Sequence, residues 1–224
     1  MANKSILMYG DVQIYEEDLA SVGPGMWLND TILEFEYEFF EIDAFSDQSS
    51  IAFIRPAIVY LMTQFIDPDS LEGVWPPDLK SKQLIFLPIN DNQGDQAGGS
   101  HWSLLVYYRP TNAFYYYDSL HDANRKLTET YKSKLAKLIN TSPQSFFVPI
   151  PTPQQENGFD CGIYVLAITE LLAKRYQQID KDLTMKPGDN ALWRISNSNL
   201  TAEHIQEFRE ALFVFISELA TNYL

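Results

Sequence analysis

A chain of 224 residues, 46% apolar and 14% aromatic, has the material for one substantial hydrophobic core. Thirty acidic against sixteen basic side chains give a formal charge of −14, which repels polyanions and argues against nucleic acid as a partner. One cysteine rules out an internal disulfide framework, and no apolar run approaches the roughly 20 residues of a membrane span.

No signal-like stretch follows Met1-Ala2-Asn3-Lys4-Ser5, so no membrane association is expected, and the expected compartment is the cytoplasm, the nucleus or both. The negative charge suits a basic tail or face on a protein partner, although solubility alone would account for it. The chain contains no internal repeat and no low-complexity tract.

In chain order, Leu28, Ile32, Phe35 and Phe39 recur at helical spacing and mark one helix face. Arg55-Pro56 opens a second helix running through Ile66, with proline at a tolerated early position. Asp67-Pro68-Asp69 and Trp75-Pro76-Pro77-Asp78 read as loops. Lys82 to Ile89 reads as a buried strand, and Asn90 to Ser100 as a long glycine-containing loop that delivers the chain to His101. Two segments rich in aromatic and β-branched residues follow, His101 to Tyr108 and Ala113 to Asp118, with Arg109-Pro110-Thr111-Asn112 between them as a turn. They form an antiparallel hairpin that sets His101 and Asp118 across from each other, within about two positions. Leu127, Tyr131, Leu135 and Leu138 give another amphipathic helix, and Phe146-Phe147-Val148 a short strand. Pro149, Pro151 and Pro153 enforce an extended approach to Gln155. From Cys161 to about Gln178 the pattern is a helix apolar on nearly every side. Asp180 to Leu200 is the least regular stretch, and Ile205, Phe208, Leu212, Phe215 and Leu219 form the stripe of a final helix expected to dock on the core, with partner binding as the alternative use. Helices around a hairpin-bearing sheet, with a buried helix behind the cysteine, make an α+β fold, with a single domain expected over residues 1–224.

The chemistry converges on few residues. Cys161 stands at the amino end of its helix, where unpaired N–H groups and the helix dipole favour a thiolate. An Asp118 carboxylate opposite His101 would hold the imidazole in one tautomer and stabilise it when protonated. Gln155 can aim its amide N–H₂ at developing negative charge beside the Cys161 backbone N–H. Each feature has a bland alternative: a lone cysteine is usually a small buried hydrophobe, and Asp-Ser after a strand usually starts a turn. With only three histidines and one cysteine in the chain, their conjunction favours an acyl-transfer site. A metal site is the poorer reading, because His121 has no second His or Cys near it and His204 lies far off in sequence. No metal or cofactor is expected.

The order His101-Trp102, Asp118-Ser119 and Gln155-Glu156-Asn157-Gly158-Phe159-Asp160-Cys161-Gly162 resembles that of the sentrin-specific, Ulp-type cysteine proteases, which cut ubiquitin-like modifiers. Trp27-Leu28-Asn29-Asp30 resembles a further motif of that family. Ile89-Asn90-Asp91-Asn92, the run from Ala97 to Tyr107 and Tyr117-Asp118-Ser119 resemble its small deneddylase branch. The likeness runs from about Ser5 to about Gln177, and Gly158-Phe159 departs from the Ser-Tyr pair of vertebrate members. The resemblance implies Cys161 as nucleophile, His101 as general base and acid, Asp118 as its orienting partner and Gln155 as an oxyanion-hole donor. It implies Trp27 and Trp102 as walls of a channel for a Gly-Gly tail, and Asp30 as a contact for a basic tail residue. Asp30 also reads as an N-cap of the following helix. The implied partners are the neddylation modifier and its conjugates, such as cullins, with other ubiquitin-like proteins as alternatives. A SUMO or ubiquitin protease, a protein acetyltransferase with a related site and an inactive binding module remain alternative functions.

Overall fold

The computed structural model describes residues 4–64, 73–76, 78–92, 94, 98–141, 144–181 and 192–223. Ile66, the Asp67-Pro68-Asp69 loop, Ala97 and much of the irregular stretch after Asp180 lie outside the described residues.

Five strands form the central sheet: β3 (Ile51–Phe53), β4 (Leu84–Asn90), β5 (Trp102–Tyr108), β6 (Ala113–Tyr117) and β7 (Phe146–Pro149), neighbours in that order. The inner pairs β4–β5 and β5–β6 are antiparallel, and the outer pairs β3–β4 and β6–β7 are parallel. Alternation of side chains gives the sheet two apolar faces. Leu84, Phe86, Leu104, Val106, Tyr115 and Tyr117 pack toward α2 (Asp30–Phe39), α5 (Cys161–Lys181) and α6 (Ala202–Tyr223). Ile85, Leu87, Ile89, Leu105, Tyr107 and Phe114 pack toward α3 (Pro56–Gln64) and α4 (Arg125–Leu138). A sheet covered on both faces needs apolar residues at successive positions, which is why β4 reads in sequence as a continuous run.

Proline opens α3 where its missing N–H costs nothing. In α4 the spacing of Tyr131, Leu135 and Leu138 buries one face, with Thr128 beneath the same face. For α2 the cap is Asn29, whose side chain accepts from the Ile32 N–H at 3.1 Å. Asp30, read from sequence as a possible cap, is instead the first residue of the helix.

Three strands escaped the sequence reading. β1 (Ser5–Tyr9) and β2 (Val12–Tyr15) form a separate antiparallel hairpin closed by Gly10-Asp11 and followed by α1 (Glu16–Ser21). Gly10 has φ +53°, which favours glycine in the turn, and a Cβ there would lie 2.0 Å from the Glu38 carboxylate and have to displace that side chain. β3 has three residues, too few to display a period. Within the irregular stretch, Trp193 stacks on Tyr115 at 4.3 Å and its carbonyl accepts from the Tyr117 hydroxyl at 2.9 Å, so this part is bound to the sheet. Among the described residues no helix is long and apolar enough to cross a membrane.

Phe86 is fully buried and stacks on Phe53 with centroids 5.4 Å apart and ring planes nearly parallel, at 6°. Phe86→Ala is expected to remove about 3–5 kcal/mol of stability, read from urea unfolding of the pure variant. A loss below about 1 kcal/mol would mean that this ring is not part of the core it occupies.

Candidate active site

The hairpin brings His101 and Asp118 to its open end. Leu104 pairs with Tyr117, so continuing the ladder sets Asp118 opposite Ser103, two residues from His101 and on the same face. The turn falls at residues 109–112, as the sequence read it: Tyr108 pairs with Ala113, and the intervening loop ends on Asn112 at φ +48°, so His101 and Asp118 stand two positions off direct opposition. The diagonal relation is still within reach, and His101 Nε2 lies 2.6 Å from Asp118 Oδ1.

Both side chains are held from several directions. Asp118 Oδ1 also accepts the Leu120 N–H at 2.8 Å, while Oδ2 accepts the Asn124 N–H at 3.0 Å and the Tyr116 hydroxyl. The His101 backbone is clasped in turn: its N–H donates to Asp91 Oδ1 at 3.1 Å, and its carbonyl accepts from Asp91 N at 3.1 Å and Asn124 Nδ2 at 3.3 Å. Burial opposes a charged imidazole, yet the Asp118 carboxylate and the Cys161 sulfur outweigh it and push the His101 pKa up to about 9. For Asp118, burial would raise the value. The hydrogen bonds from His101, Tyr116 and Asn124 outweigh that and hold the carboxyl below the usual range. The surroundings therefore favour the protonated ring, and its buried Nδ1 has no oxygen or nitrogen partner.

Cys161 begins α5 and is 4% exposed, close enough to His101 to act on the protonation of the ring. With Nε2 committed to Asp118, Nδ1 is the atom left for sulfur. A cleft of about 340 Å³ reaches Cys161 and His101 and is lined by Trp27, Asp30, Gly99 and Trp102 among others. Trp27 is 56% exposed at the rim, whereas Trp102 is buried and donates its indole N–H to the Leu28 carbonyl at 3.2 Å. Gly162 permits this arrangement: a Cβ there would sit 2.8 Å from Leu28 Cβ and 3.5 Å from Trp102 Cδ1. Gly99, at φ +103°, is packed against Asn90 in the same way, which presses the loop before His101 onto the end of β4.

Gln155 arrives on the extended segment before α5 and is tied to the residue after Asp118. Its backbone N–H donates to the Ser119 carbonyl at 2.9 Å, and its side-chain oxygen accepts from Ser119 Oγ at 2.8 Å. Its amide nitrogen donates to the Asn157 carbonyl at 2.6 Å, which leaves one of two N–H bonds for another acceptor. The residues singled out in sequence thus include a linked set of His101, Asp118 and Cys161, with Trp27, Asp30 and Trp102 on the adjoining cleft and Gln155 joined to the Asp118 segment.

Sequence reasoning missed Tyr116, Asn124 and Asp91. Tyr116 carries a usable signal, since two residues before Asp118 on a strand means the same face. Asn124 carries none, because it reaches the pair through a loop without period, and Asp91 shows only as part of the Ile89–Asn92 motif, with nothing to say that its side chain turns to His101. A cationic imidazole fixed by a carboxylate beside a thiol at a helix amino end can hold and deliver a proton during acyl transfer.

Comparison with known proteins agrees with this geometry. The Ulp1 protease family, C-terminal catalytic domain, matches residues 26–224. Sentrin-specific protease 8 of Homo sapiens is 35% identical over 174 residues, spanning 76% of this chain and 82% of that protein. NEDD8-specific protease 1 of Arabidopsis thaliana is 30% identical over 220 residues, spanning 97% of this chain and 94% of that protein. In fold, the chain is similar to the C-terminal Ulp1 protease domain solved in complex with Smt3, the yeast ortholog of SUMO. The TM-score is 0.68 at 21% identity, covering 98% of this chain and 90% of that one.

Because the folded His101 value stands above the ordinary 6.5, its contribution to stability is complete below about pH 6.5 and is lost as pH rises through about 9. In Asp118→Asn the imidazole should titrate well below 9 by NMR, and the fall in stability across that window should shrink; an unmoved titration would remove Asp118 as the cause. Gly162→Ala should displace Leu28 and with it Trp102, raising KM about threefold or more in a cleavage assay while the chain stays folded. An unchanged KM would show that the close packing at Gly162 has no bearing on the cleft.

Proposed function

The chain belongs to the Ulp1 protease family, and from that footing we propose that it is a deneddylase, cleaving after the C-terminal Gly-Gly of the neddylation modifier NEDD8. The observation that carries the reading is His101, locked by Asp118 at 2.6 Å, with its second ring nitrogen left for Cys161 in an open cleft. Relatives named for NEDD8 or as sentrin-specific protease 8 give the choice of modifier its support.

In this reading the Cys161 thiolate attacks the carbonyl carbon of the terminal glycine. The oxyanion that forms takes hydrogen bonds from the Cys161 backbone N–H and from the remaining N–H of Gln155. His101 gives its proton to the departing lysine amine, the C–N bond breaks, and a thioester remains on Cys161. Water, deprotonated by the now neutral His101, attacks the thioester and releases the modifier with a free carboxylate. The same steps remove a short precursor tail. Asp118 keeps the ring in one tautomer throughout and offsets its charge.

Trp27 and Trp102 serve as walls of the passage to Cys161, a slot for residues without a Cβ, which restricts the substrate to a Gly-Gly tail. Asp30, exposed on the same cleft, meets a basic residue of the tail. The partners are NEDD8 and its conjugates, cullins among them. The formal charge of −14 is consistent with this choice and with the absence of nucleic acid from the list. A single catalytic domain acting in the cytoplasm, the nucleus or both completes the proposal.

The test is covalent capture by NEDD8, SUMO and ubiquitin, each carrying a thiol-reactive group at its terminal glycine. NEDD8 should label fastest, and Cys161→Ala should label with none while keeping wild-type thermal stability, its turnover lowered by at least about 10³-fold. Turnover retained in Cys161→Ala would reject the mechanism, and faster capture by SUMO or ubiquitin would reassign the modifier.

A further inference from the structure

The C-terminal helix reaches the site through one side chain. Arg209, on α6, is only 1% exposed. Its Nε and Nη2 donate to Asp160 Oδ1 at 3.0 and 2.8 Å, and Nη1 donates to the Val22 and Gly23 carbonyls at 3.1 and 3.2 Å. Nη2 also reaches the Phe159 carbonyl at 3.3 Å, and the Phe159 ring centre lies 5.7 Å from the guanidinium carbon. Three segments remote in sequence are joined: α6, the turn that leads through Met26 to Trp27, and the residues immediately before Cys161. The Gly23 carbonyl also accepts the Met26 N–H at 3.2 Å, so the hold on Gly23 passes directly to the Trp27 segment.

Asp160 occupies the position where a capping carboxylate ordinarily turns inward to the first N–H groups of a helix. Here its backbone carbonyl accepts the Tyr164 N–H at 2.9 Å, as a cap should, but its carboxylate faces elsewhere. One oxygen is held by Arg209, and the other accepts from Asn157 Nδ2 at 2.6 Å. The N–H groups at the start of α5 are thereby spared a competing acceptor where the oxyanion forms in the reading above. The guanidinium charge also offsets a carboxylate that would otherwise repel negative charge developing on the adjacent sulfur.

We propose that Arg209 is a positioning residue for the cleavage reaction: it fixes the turn that carries Cys161 and the base of the Trp27 segment in one register, aligning nucleophile and tail passage before substrate arrives. The role rests on the reading of Cys161 as nucleophile. Lysine cannot replace it, because a single ammonium cannot span Asp160 and the Val22–Gly23 carbonyls with a planar fork.

Three variants test this. Arg209→Lys keeps charge without the fork, and Arg209→Met lacks both. The double variant Arg209→Met/Asp160→Asn removes the carboxylate that the methionine variant leaves buried and unpaired, which is the main threat to folding. Each is measured for thermal stability, for alkylation of Cys161 by iodoacetamide, and for kcat and KM on NEDD8 bearing a reporter amide at its terminal glycine. The double variant should melt within about 5 °C of the wild type. Its kcat should nevertheless fall at least about tenfold and its KM rise about threefold, with Arg209→Lys intermediate in both. Arg209→Met should alkylate at least about fivefold more slowly than the double variant, since only it retains the uncompensated carboxylate. A double variant, or Arg209→Lys if the others do not fold, with kcat and KM within about twofold of wild type would overturn the role. So would a loss of turnover that only tracks the fraction unfolded. A wild-type chain alkylated at Cys161 but inert toward every modifier would instead overturn the functional reading.

Discussion

A histidine whose ring is gripped at Nε2 has one nitrogen left for chemistry, and the rest of this molecule is arranged around that restriction. The 2.6 Å bond to Asp118 exists only if the ends of β5 and β6 stay in register, since a slip of one residue would send Asp118 to the opposite face of the sheet. The carboxylate is held by donors from Tyr116, Leu120 and Asn124, and the His101 backbone by Asp91 and Asn124. A buried charge pair with unsatisfied members would cost several kcal/mol, so these hydrogen bonds are a condition for the pair to exist. The free edge of the ring then dictates where a sulfur atom has to stand, and α5 begins at that point.

The other side of the cleft follows from close packing. Leu28 sits against Gly162 and offers its carbonyl to Trp102, which fastens the segment before α2 to both β5 and the start of α5. Asn29 ends that segment by capping α2. Trp27 is exposed at the rim while its neighbour Leu28 is buried. Arg209 closes the circuit from behind, joining the turn before Trp27 to the turn before Cys161. The cleft therefore draws on segments from across the chain, none of them able to keep its shape alone.

Much of this was legible beforehand, and the errors have physical causes. Helices α2, α4 and α6 carry clear apolar periods, α3 is marked by its opening proline, α5 is apolar on nearly every side, and β4, β5 and β6 are dense in β-branched and aromatic residues. The 109–112 turn of the central hairpin stands where the sequence set it, and only the strand register decided that His101 and Asp118 meet on a diagonal. The β1–β2 hairpin had a usable sign in Gly10-Asp11 between short apolar runs, and its strands were overlooked for their brevity. Asn29 and Asp30 are both good capping residues, and only backbone geometry distinguishes the cap from the first helical position.

The sequence alone determined the chemical inventory: one cysteine before a buried helix, one histidine and one aspartate at the two ends of a hairpin, and a family motif around each. It did so because residue type and local period are properties of neighbours along the chain. Tertiary structure decided which nitrogen of His101 is committed, how the Gln155 amide is occupied, and that Arg209, nearly fifty residues beyond Cys161, is buried against the turn before it. Those facts depend on segments meeting across the core, and no period or spacing encodes a contact between loops. A buried arginine on a helix face looks in sequence like any solvated charge until the fold supplies the carboxylate and carbonyls that hold it.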